Sequence, residues 1–220
     1  MNKKAVIVSG GSIQDAFALQ MLNEIQPAYV IGVDSGLAFL YRNQVEPTHI
    51  VGDFDSVDPE VIAYYKNKTD IPIREFNPVK DATDTEIGAR LALELGADVL
   101  YLFGATGTRL DHVLANIQML KIALDAGVKA YLVDECNRIS LWNEEVTLSK
   151  EESFGTYFSI FPFGDSVEKV SITGAKYPLN EYHLTNRESR CVSNEVAEEE
   201  VHITFSDGIL ILMETRDRNE

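Results

Sequence analysis

From its start to about residue 135, the chain alternates short β-branched apolar runs with segments of helical periodicity. The runs of strand length are AVIVSG, YVIGVDSG, HIVGDFDS, IPIREF, DVLYLFGA and KAYLVDE. Residues 81–96 and 109–127 show helical spacing and each end at a glycine, a common helix stop. In the second of these segments the apolar positions are Leu110, Val113, Leu114, Ile117, Leu120 and Leu124. Because strands that alternate with helices form βαβ units, residues 1–135 are predicted to be an α/β domain with an open, mainly parallel sheet.

The helical period disappears from residue 136 to residue 220. Runs such as RISLWNEEVTLS, TYFSIFPFG and EEVHITFSDGILILMET are rich in β-forming residues and are separated by Gly, Pro and Asn turns. Short strands joined by such turns form antiparallel sheets. This part of the chain is therefore predicted to be a separate all-β domain, either a sandwich or a barrel.

The charge and the cysteine content exclude several classes of protein. Nineteen Lys and Arg against 35 Asp and Glu give a net charge of −16, so a broad nucleic-acid footprint is not expected. Cys136 and Cys191 form no CxxC pair, which argues against a zinc site or a disulfide framework. We find neither a signal peptide nor a segment that would span a bilayer. These features predict a cytosolic protein without nucleic-acid or membrane partners.

Aspartates recur at or just after the ends of successive predicted strands. They are Asp34, Asp53, Asp55, Asp81, Asp84 and Asp111. In an open parallel sheet the carboxyl ends of the strands lie along one edge, and ligands bind in the crevice there. We therefore expect these carboxylates to line a binding site.

The pair in GDFDS is the most informative of these aspartates. On an extended strand, side chains two residues apart point to the same face, so Asp53 and Asp55 are expected to point together into the crevice. Two carboxylates about 4 Å apart repel by roughly 4 kcal/mol at an effective dielectric near 20. A divalent cation removes that cost, and an all-oxygen ligand set suits Mg²⁺. Alternatively, the aspartates end a strand and cap the following turn, as Asp58 before Pro59 is expected to do.

Two helix starts add further candidates. In KDATDTE, capping is the simpler explanation: either Asp81 caps the helix with Asp84 at its third position, or Thr83 and Glu86 form a capping box. Lys80 beside them is a candidate phosphate contact.

FGATGTRLDH opens the other helix, and its backbone N–H groups form an anion site. There Arg109 is expected to grip phosphate and Asp111 to orient it, whereas His112 is better explained as a helix-start polar residue than as a base. This spacing is not that of a Walker loop, and SGGS at residues 9–12 is not GxGxxG.

Taken together, these stretches resemble the bacterial thiamin pyrophosphokinase family over nearly the whole chain. The matching motifs, in the family's order, are GVDSG, GDFDS, KDATDTE, FGATGTRLDH, GAKYPL and VSNE. The resemblance implies an α/β ATP-binding catalytic domain, residues 1–135, followed by a thiamin-binding β-sandwich, residues 136–220. It also implies a cytoplasmic homodimer in which thiamin lies between the α/β domain of one subunit and the sandwich of the other.

The resemblance further implies the reaction and the residues that perform it. The enzyme would transfer the pyrophosphoryl group of ATP to the hydroxyl of thiamin, which releases AMP and requires Mg²⁺. The expected Mg²⁺ ligands are Asp53, Asp55 and Asp84, and with Arg109 and Asp111 they form the catalytic set. The expected contacts of ATP and its phosphates are Asp34, Ser35, Lys80, Thr83, Thr106, Thr108, Arg109, Asp111 and His112. Thiamin would stack on Tyr177 and lie near Ser193 and Asn194, although residue chemistry alone explains these three as ordinary β-turn residues.

Two other functions remain open from the sequence. DFDSV also matches the DxDx[TV] pattern of haloacid-dehalogenase-like phosphatases, in which Asp53 would be a covalent nucleophile. A non-catalytic nucleotide- or thiamin-binding protein is the other alternative. It does not explain why so many metal-binding carboxylates would be kept together.

Overall fold

The structure is a computed structural model that describes residues 2–68, 70–75 and 81–218. The chain divides into two compact units, Met1–Glu135 and Cys136–Glu220. The elements of the first unit are β1 (Lys4–Val8), α1 (Asp15–Ile25), β2 (Tyr29–Val33), α2 (Leu37–Arg42), β3 (His49–Gly52), α3 (Pro59–Lys66), β4 (Ile73–Glu75), α4 (Asp84–Glu94), β5 (Val99–Phe103), α5 (Leu110–Asp125) and β6 (Lys129–Val133). A short 3₁₀ turn, Asp34–Gly36, follows β2.

The strands of the first unit form a parallel sheet. Its order is β6-β5-β1-β2-β3-β4, and each neighbouring pair in that order is parallel. The chain adds strands outward from β1 to β4 and then continues at β5, on the opposite side of β1. The winding direction therefore switches between β1 and β5, and an open α/β sheet forms its ligand crevice beyond the strands at such a switch. The predicted α/β class is confirmed.

Burial of this sheet follows from its sequence. Val6, Ile7, Ile31 and Ile50 are fully buried, because helices cover both faces of a parallel sheet. Leu91 on α4 is also buried. The core thus fixes the strands rigidly and leaves their carboxyl ends, where the chain turns into loops, to present polar groups.

The apolar positions of α5 are only partly buried. The predicted helix is confirmed and spans Leu110–Asp125, with Ile117 and Leu120 buried, but Leu110 and Leu114 are 78% and 59% exposed. The start of α5 lies at the mouth of the crevice, where β5 has already ended. Within the described residues, no element of this unit therefore covers the first apolar turns of α5.

The second unit is all β. Its strands are β7 (Asn137–Trp142), β8 (Val146–Ser149), β9 (Tyr157–Pro162), β10 (Ser166–Thr173), β11 (Leu179–Thr185), β12 (Asn194–Glu195), β13 (Glu200–Thr204) and β14 (Leu210–Thr215). They form two antiparallel arrays, β12-β9-β14-β7 and β11-β10-β13-β8.

Apolar side chains from both arrays share one core, which includes Phe158 and Leu212 from the first and Val170 and Ile203 from the second. Two antiparallel sheets packed face to face form a sandwich, so of the two all-β alternatives the sandwich is the one adopted.

The helices of the described residues are short. The longest, α5, has 16 residues. None of them combines the length and the apolar character needed to cross a bilayer, which takes about 20 apolar residues.

Candidate active site

A cavity of about 660 Å³ lies at the carboxyl edge of the parallel sheet. It is bounded by the segments that follow β1, β2 and β5 and by the first turns of α4 and α5. The side chains and backbone that line it are Ser9, Gly10, Gly11, Ser12, Val33, Asp34, Ser35, Ser56, Thr83, Asp84, Thr85, Gly104, Ala105, Thr106, Gly107, Thr108, Arg109, His112, Val113 and Asn116. Its position agrees with the switch in strand order, and its size suits a nucleotide-sized ligand.

The loops after β1 and β5 are held together by backbone hydrogen bonds. Ser9 N–H donates to the carbonyl of Phe103 and Gly11 N–H to that of Gly104, each at 2.8 Å. A Cβ on Gly11 would lie 2.1 Å from the carbonyl oxygen of Thr106, and one on Gly104, whose φ is +63°, would lie 2.2 Å from that of Ser9. Glycine is therefore required at both positions, because the two loops approach backbone to backbone.

Asn116 on α5 supports the loop after β5 from below. Its side chain is buried, and Nδ2 donates a hydrogen bond of 2.8 Å to the carbonyl of Ala105. Beside it, the buried hydroxyl of Ser9 lies 2.9 Å from the hydroxyl of Thr85. These contacts join the loops after β5 and β1 to α5 and α4, so the polar groups that line the cavity are preorganised.

Replacing Asn116 with alanine is expected to weaken both the fold and nucleotide binding. The buried carbonyl of Ala105 would lose its partner, which should lower the free energy of unfolding by about 1–3 kcal/mol. Thermal unfolding and the KM for ATP test this, and the loosened loop should raise that KM several-fold. Gln118→Ala, at an exposed position on the same helix, is the matched control and should change neither quantity. An unchanged KM in Asn116→Ala would show that the loop does not depend on this contact.

Asp34 is the focus of a carboxylate cluster. Its backbone is left-handed, with φ +44°, and its Oδ1 accepts a hydrogen bond of 3.2 Å from Phe54 N–H. Burial, the charge of Asp84 and, more weakly, the charge of Asp53 raise the pKa of Asp34 to about 6, against the opposing effect of the Phe54 hydrogen bond. Asp84 is also in hydrogen-bond contact with Asp34. The cluster therefore carries like-charge repulsion that a bound cation would relieve.

The predicted geometry of Asp53 and Asp55 is wrong. β3 ends at Gly52, and Phe54 between the two aspartates is left-handed with φ +61°, so the pair does not lie on an extended strand. Asp55 N–H donates to Asp53 Oδ1 at 3.3 Å, and Asp55 is exposed. Turn chemistry thus accounts for their local structure, and neither residue is among the described residues that line the cavity. Their metal-binding role stays a prediction.

No ready-made metal centre is formed by the described residues. Across residues 2–68, 70–75 and 81–218, no group of three His, Cys, Asp or Glu side chains is arranged to hold a metal ion. The chemistry of the cluster around Asp34 nevertheless fits Mg²⁺, because its donors are all carboxylate oxygens that interact unfavourably without a cation.

The start of α4 places Asp84 at the cavity. Thr83 is the N-cap, and its hydroxyl accepts a hydrogen bond of 3.2 Å from Glu86 N–H. Of the two capping alternatives, the one with Asp81 as the cap is therefore wrong, and Asp84 is the first residue of the helix. Lys80 lies outside the described residues. The predicted cap at Asp58 is confirmed, since its Oδ1 accepts from Glu60 N–H at 2.8 Å.

The start of α5 carries an exposed ion pair. Arg109 Nη2 lies 2.7 Å from Asp111 Oδ2, and the two side chains are 70% and 65% exposed. The hydrogen bond from Arg109, together with that from His112 N–H, lowers the pKa of Asp111 to about 2. Arg109 and His112 line the cavity, whereas Asp111 does not. Asp111 therefore orients the guanidinium without facing the cavity itself.

Most of the predicted nucleotide contacts meet at this cavity. Those that line it are Asp34, Ser35, Thr83, Thr106, Thr108, Arg109 and His112. Asp84, predicted as a metal ligand, lines it as well. Sequence reasoning missed Ser56, Thr85, Asn116 and the SGGS segment at residues 9–12. The spacing of SGGS matches no dinucleotide motif. Its only sequence signal is that it directly follows a predicted strand; its place at the switch point depends on the strand order of the folded sheet.

The predicted thiamin contacts lie in the second unit. Tyr177 is 59% exposed, whereas Asn194 is buried. Ser193 is exposed and left-handed, with φ +55°, and its N–H donates to Ser159 Oγ at 3.0 Å. Asn194 hydrogen-bonds the backbone of Tyr177, so these predicted residues form one local group.

Comparison with known proteins agrees with this architecture. Residues 21–132 match the family model described as thiamin pyrophosphokinase, catalytic domain, and residues 144–210 match thiamin pyrophosphokinase, vitamin B1 binding domain. Thiamine pyrophosphokinase of Bacillus subtilis is 34% identical over 188 residues, which cover 85% of this chain and 87% of that protein.

Solved structures give the same result. The crystal structure of the Bacillus subtilis thiamine pyrophosphokinase superposes with a TM-score of 0.86 at 32% identity, covering 98% of this chain and 100% of that one. The structure of thiamin pyrophosphokinase from Geobacillus thermodenitrificans superposes with a TM-score of 0.84 at 30% identity, covering 98% of each chain. Together with the family matches to both units, these similarities show that the chain belongs to the thiamin pyrophosphokinase family of enzymes.

Proposed function

We propose that this chain transfers the pyrophosphoryl group of ATP to the hydroxyl of thiamin in a Mg²⁺-dependent reaction at the cavity of the α/β unit. Thiamin pyrophosphokinase activity, with ATP and thiamin as substrates, follows from membership of the family. The observation that carries the site assignment is the meeting of Asp34, Asp84 and Arg109 at one cavity beyond the switch point. The cytosolic location expected from the cysteine content stays a prediction.

The residues proposed to hold Mg²⁺ are Asp53, Asp55 and Asp84. Asp84 lines the cavity, and both Asp84 and Asp53 act electrostatically on Asp34; this concentration of negative charge supports the proposal of a cation site there. When bound, Mg²⁺ supplies charge neutralisation for the phosphate oxygens of ATP. Asp34, which also lines the cavity, is proposed to contact ATP beside these metal ligands.

The rest of the catalytic contribution is positioning. Residues at the N-termini of α4 and α5 and in the loop Gly104–Thr108 line the cavity, and the N-terminus of a helix favours bound phosphate. Arg109 carries a positive charge on the cavity wall that is proposed to bind phosphate oxygens and to offset the negative charge that develops during transfer. Since phosphoryl transfer needs little covalent help from protein groups, alignment and charge stabilisation suffice.

The thiamin site is proposed to lie in the sandwich, at the local group formed by Tyr177, Ser193 and Asn194. Tyr177 presents an exposed aromatic ring, which suits stacking on the flat pyrimidine of thiamin. Thiamin is a cation, and the net charge of −16 would favour its approach to the protein.

A homodimer with a shared active site is the proposed assembly. The exposed Leu110 and Leu114 at the rim of the α/β cavity, and the exposed Tyr177 and Val192 in the sandwich, are apolar surfaces of the kind that subunit contacts cover. Each active site would combine the α/β unit of one subunit with the sandwich of the other.

Mixing two impaired variants, assayed at thiamin concentrations well below the wild-type KM, tests this assembly. Asp55→Asn and Tyr177→Ala subunits, unfolded together and refolded, should regain about a quarter of the wild-type activity, because half of the dimers are mixed and each mixed dimer has one intact site. Each variant refolded alone is the control: Asp55→Asn should be nearly inactive, and Tyr177→Ala should keep no more than about a tenth of the wild-type rate at this thiamin concentration. A site built within one subunit would give no recovery in the mixture.

The metal requirement is tested by following AMP and thiamin diphosphate while Mg²⁺ is titrated into protein, ATP and thiamin. Both products should be absent with chelator and rise together with Mg²⁺. The phosphatase alternative, with Asp53 as nucleophile, instead requires phosphate release from simple esters without thiamin. A binding protein without turnover would form neither product. Formation of thiamin diphosphate at full rate without a divalent ion would overturn the assignment of the aspartates.

A further inference from the structure

We infer that Asn194 is a positioning residue: its buried carboxamide grips the main chain of Tyr177 and so fixes the aromatic ring for thiamin. The inference rests on the proposed role of Tyr177 in stacking. It assigns Asn194 to the support of that ring and removes it from direct contact with the substrate.

The carboxamide of Asn194 makes hydrogen bonds to both backbone groups of Tyr177. Asn194 Oδ1 accepts a hydrogen bond of 3.0 Å from Tyr177 N–H, and Asn194 Nδ2 donates one of 2.8 Å to the carbonyl of Tyr177. Oδ1 also accepts from Glu195 N–H at 2.9 Å. The side chain is only 4% exposed. A single carboxamide thus satisfies both backbone groups of Tyr177 and has little surface left for a ligand.

Tyr177 needs this support because its surroundings hold it weakly. It lies in the connection between β10 and β11, outside any strand ladder, and its side chain is 59% exposed, so little packing restrains the ring. Pro178 follows it and has no N–H to donate. The Lys176 ammonium lies 5.6 Å from the ring centroid, and the direction of the Cα–Cβ bond that carries the ring is set by the backbone at Tyr177, which is the part that Asn194 holds.

The residues next to Tyr177 and Asn194 also bond to one another. Lys176 N–H donates to the carbonyl of Glu195 at 3.0 Å, and Lys176 Nζ lies 2.6 Å from Glu195 Oε1. Ala175 and Val196 form an isolated antiparallel bridge. Residues 175–177 are thus bonded to residues 194–196, and the buried side chain of Asn194 makes the central contact between the two segments.

The chemistry requires asparagine at this position. Aspartate has nearly the same shape and would still accept from Tyr177 N–H, but it has no donor for the carbonyl of Tyr177 and would place a negative charge against it. Asn194→Asp therefore removes the hydrogen bond to the carbonyl of Tyr177 with minimal change in side-chain volume. Loss of this hydrogen bond, together with a carboxylate oxygen beside the carbonyl, disfavours the wild-type backbone geometry, so the ring should lose its fixed position.

A double-mutant cycle read out by the KM for thiamin tests the inference. Tyr177→Ala should raise that KM about tenfold or more, the loss typical of one stacked aromatic. Asn194→Asp should raise it several-fold, with kcat at saturating thiamin and the KM for ATP unchanged. In the Tyr177→Ala background, Asn194→Asp should have no further effect, because no ring remains to be positioned. Asn186→Asp, an exposed position in the same unit, is the matched control and should behave as wild type.

The outcomes separate this inference from the role of Tyr177. If Tyr177→Ala raises the KM and Asn194→Asp multiplies it further, Asn194 acts independently of the ring and the inference fails while the role of Tyr177 stands. If Tyr177→Ala leaves the KM unchanged, both fall.

A measurement on the wild-type protein does not depend on the variants folding. The amide proton of Tyr177 should exchange at least about tenfold more slowly than that of an exposed loop residue, because it is bonded to a buried side chain. Rapid exchange of this amide proton would show that Asn194 does not hold the backbone of Tyr177, and the inference would fail.

Discussion

Replacing Asp84 with asparagine is expected to lower the turnover number by about a thousandfold, or about 4 kcal/mol in activation free energy, while the fold remains intact. The carboxylate at the first position of α4 faces the cavity and is a proposed metal ligand. The amide keeps the shape but loses the charge that is proposed to hold Mg²⁺. Because Asp84 also repels Asp34, its neutralisation should leave the thermal midpoint unchanged or slightly higher.

The control for this experiment is Asp125→Asn, which removes an exposed carboxylate paired with Lys121 on α5. It should retain full turnover. Thermal unfolding with and without Mg²⁺, in the absence of nucleotide, supplies a readout besides activity. Mg²⁺ should raise the midpoint of the wild-type protein more than that of Asp84→Asn, since a ligand that binds only the folded state stabilises it. Equal shifts in the two proteins would place the metal elsewhere.

Replacing Arg109 with glutamine is the second large effect, an expected loss of about a hundredfold in kcat/KM for ATP. Arg109 carries a positive charge on the wall of the cavity, and Asp111 orients it through two hydrogen bonds. Glutamine keeps polarity and much of the length but removes the charge and the planar fork that suits phosphate.

Arg109→Gln should leave the stability of the protein unchanged although it lowers the activity. The Arg109–Asp111 pair is largely exposed, and exposed ion pairs contribute little to folding, so the thermal midpoint of Arg109→Gln should match that of wild type. Arg90→Gln, which removes an exposed pair with Glu86 on α4, is the matched control and should keep normal kinetics. A large fall in stability with unchanged kinetics would make Arg109 a structural residue.

The fold was accessible from sequence because its main determinant is local. β-branched runs that alternate with helical segments specify a parallel sheet whatever the strand order, and the loss of helical period after residue 135 specifies the sandwich class. The exposure of Leu110 and Leu114 was not accessible, since periodicity assigns a face to a helix but cannot tell where the sheet beneath it ends.

The site was only partly accessible, for two physical reasons. First, strand order is not encoded in any single segment, so Ser9 to Ser12 gave no sign that β1 is central and adjacent to β5. Second, single backbone angles decide side-chain direction: the left-handed Phe54 takes Asp53 and Asp55 off the extended geometry that alternation predicts. The contact between Asn194 and Tyr177 joins residues 17 positions apart and needed the folded chain to be seen.

The protein is expected to cleave ATP between its α- and β-phosphates, and only when thiamin is present to accept the pyrophosphoryl group. Chromatography of the nucleotides after incubation with ATP and Mg²⁺, with and without thiamin, measures this directly. We predict AMP and thiamin diphosphate in equal amounts with thiamin, and unchanged ATP without it. ADP or free phosphate formed regardless of thiamin would contradict the account and indicate a different use of the aspartates.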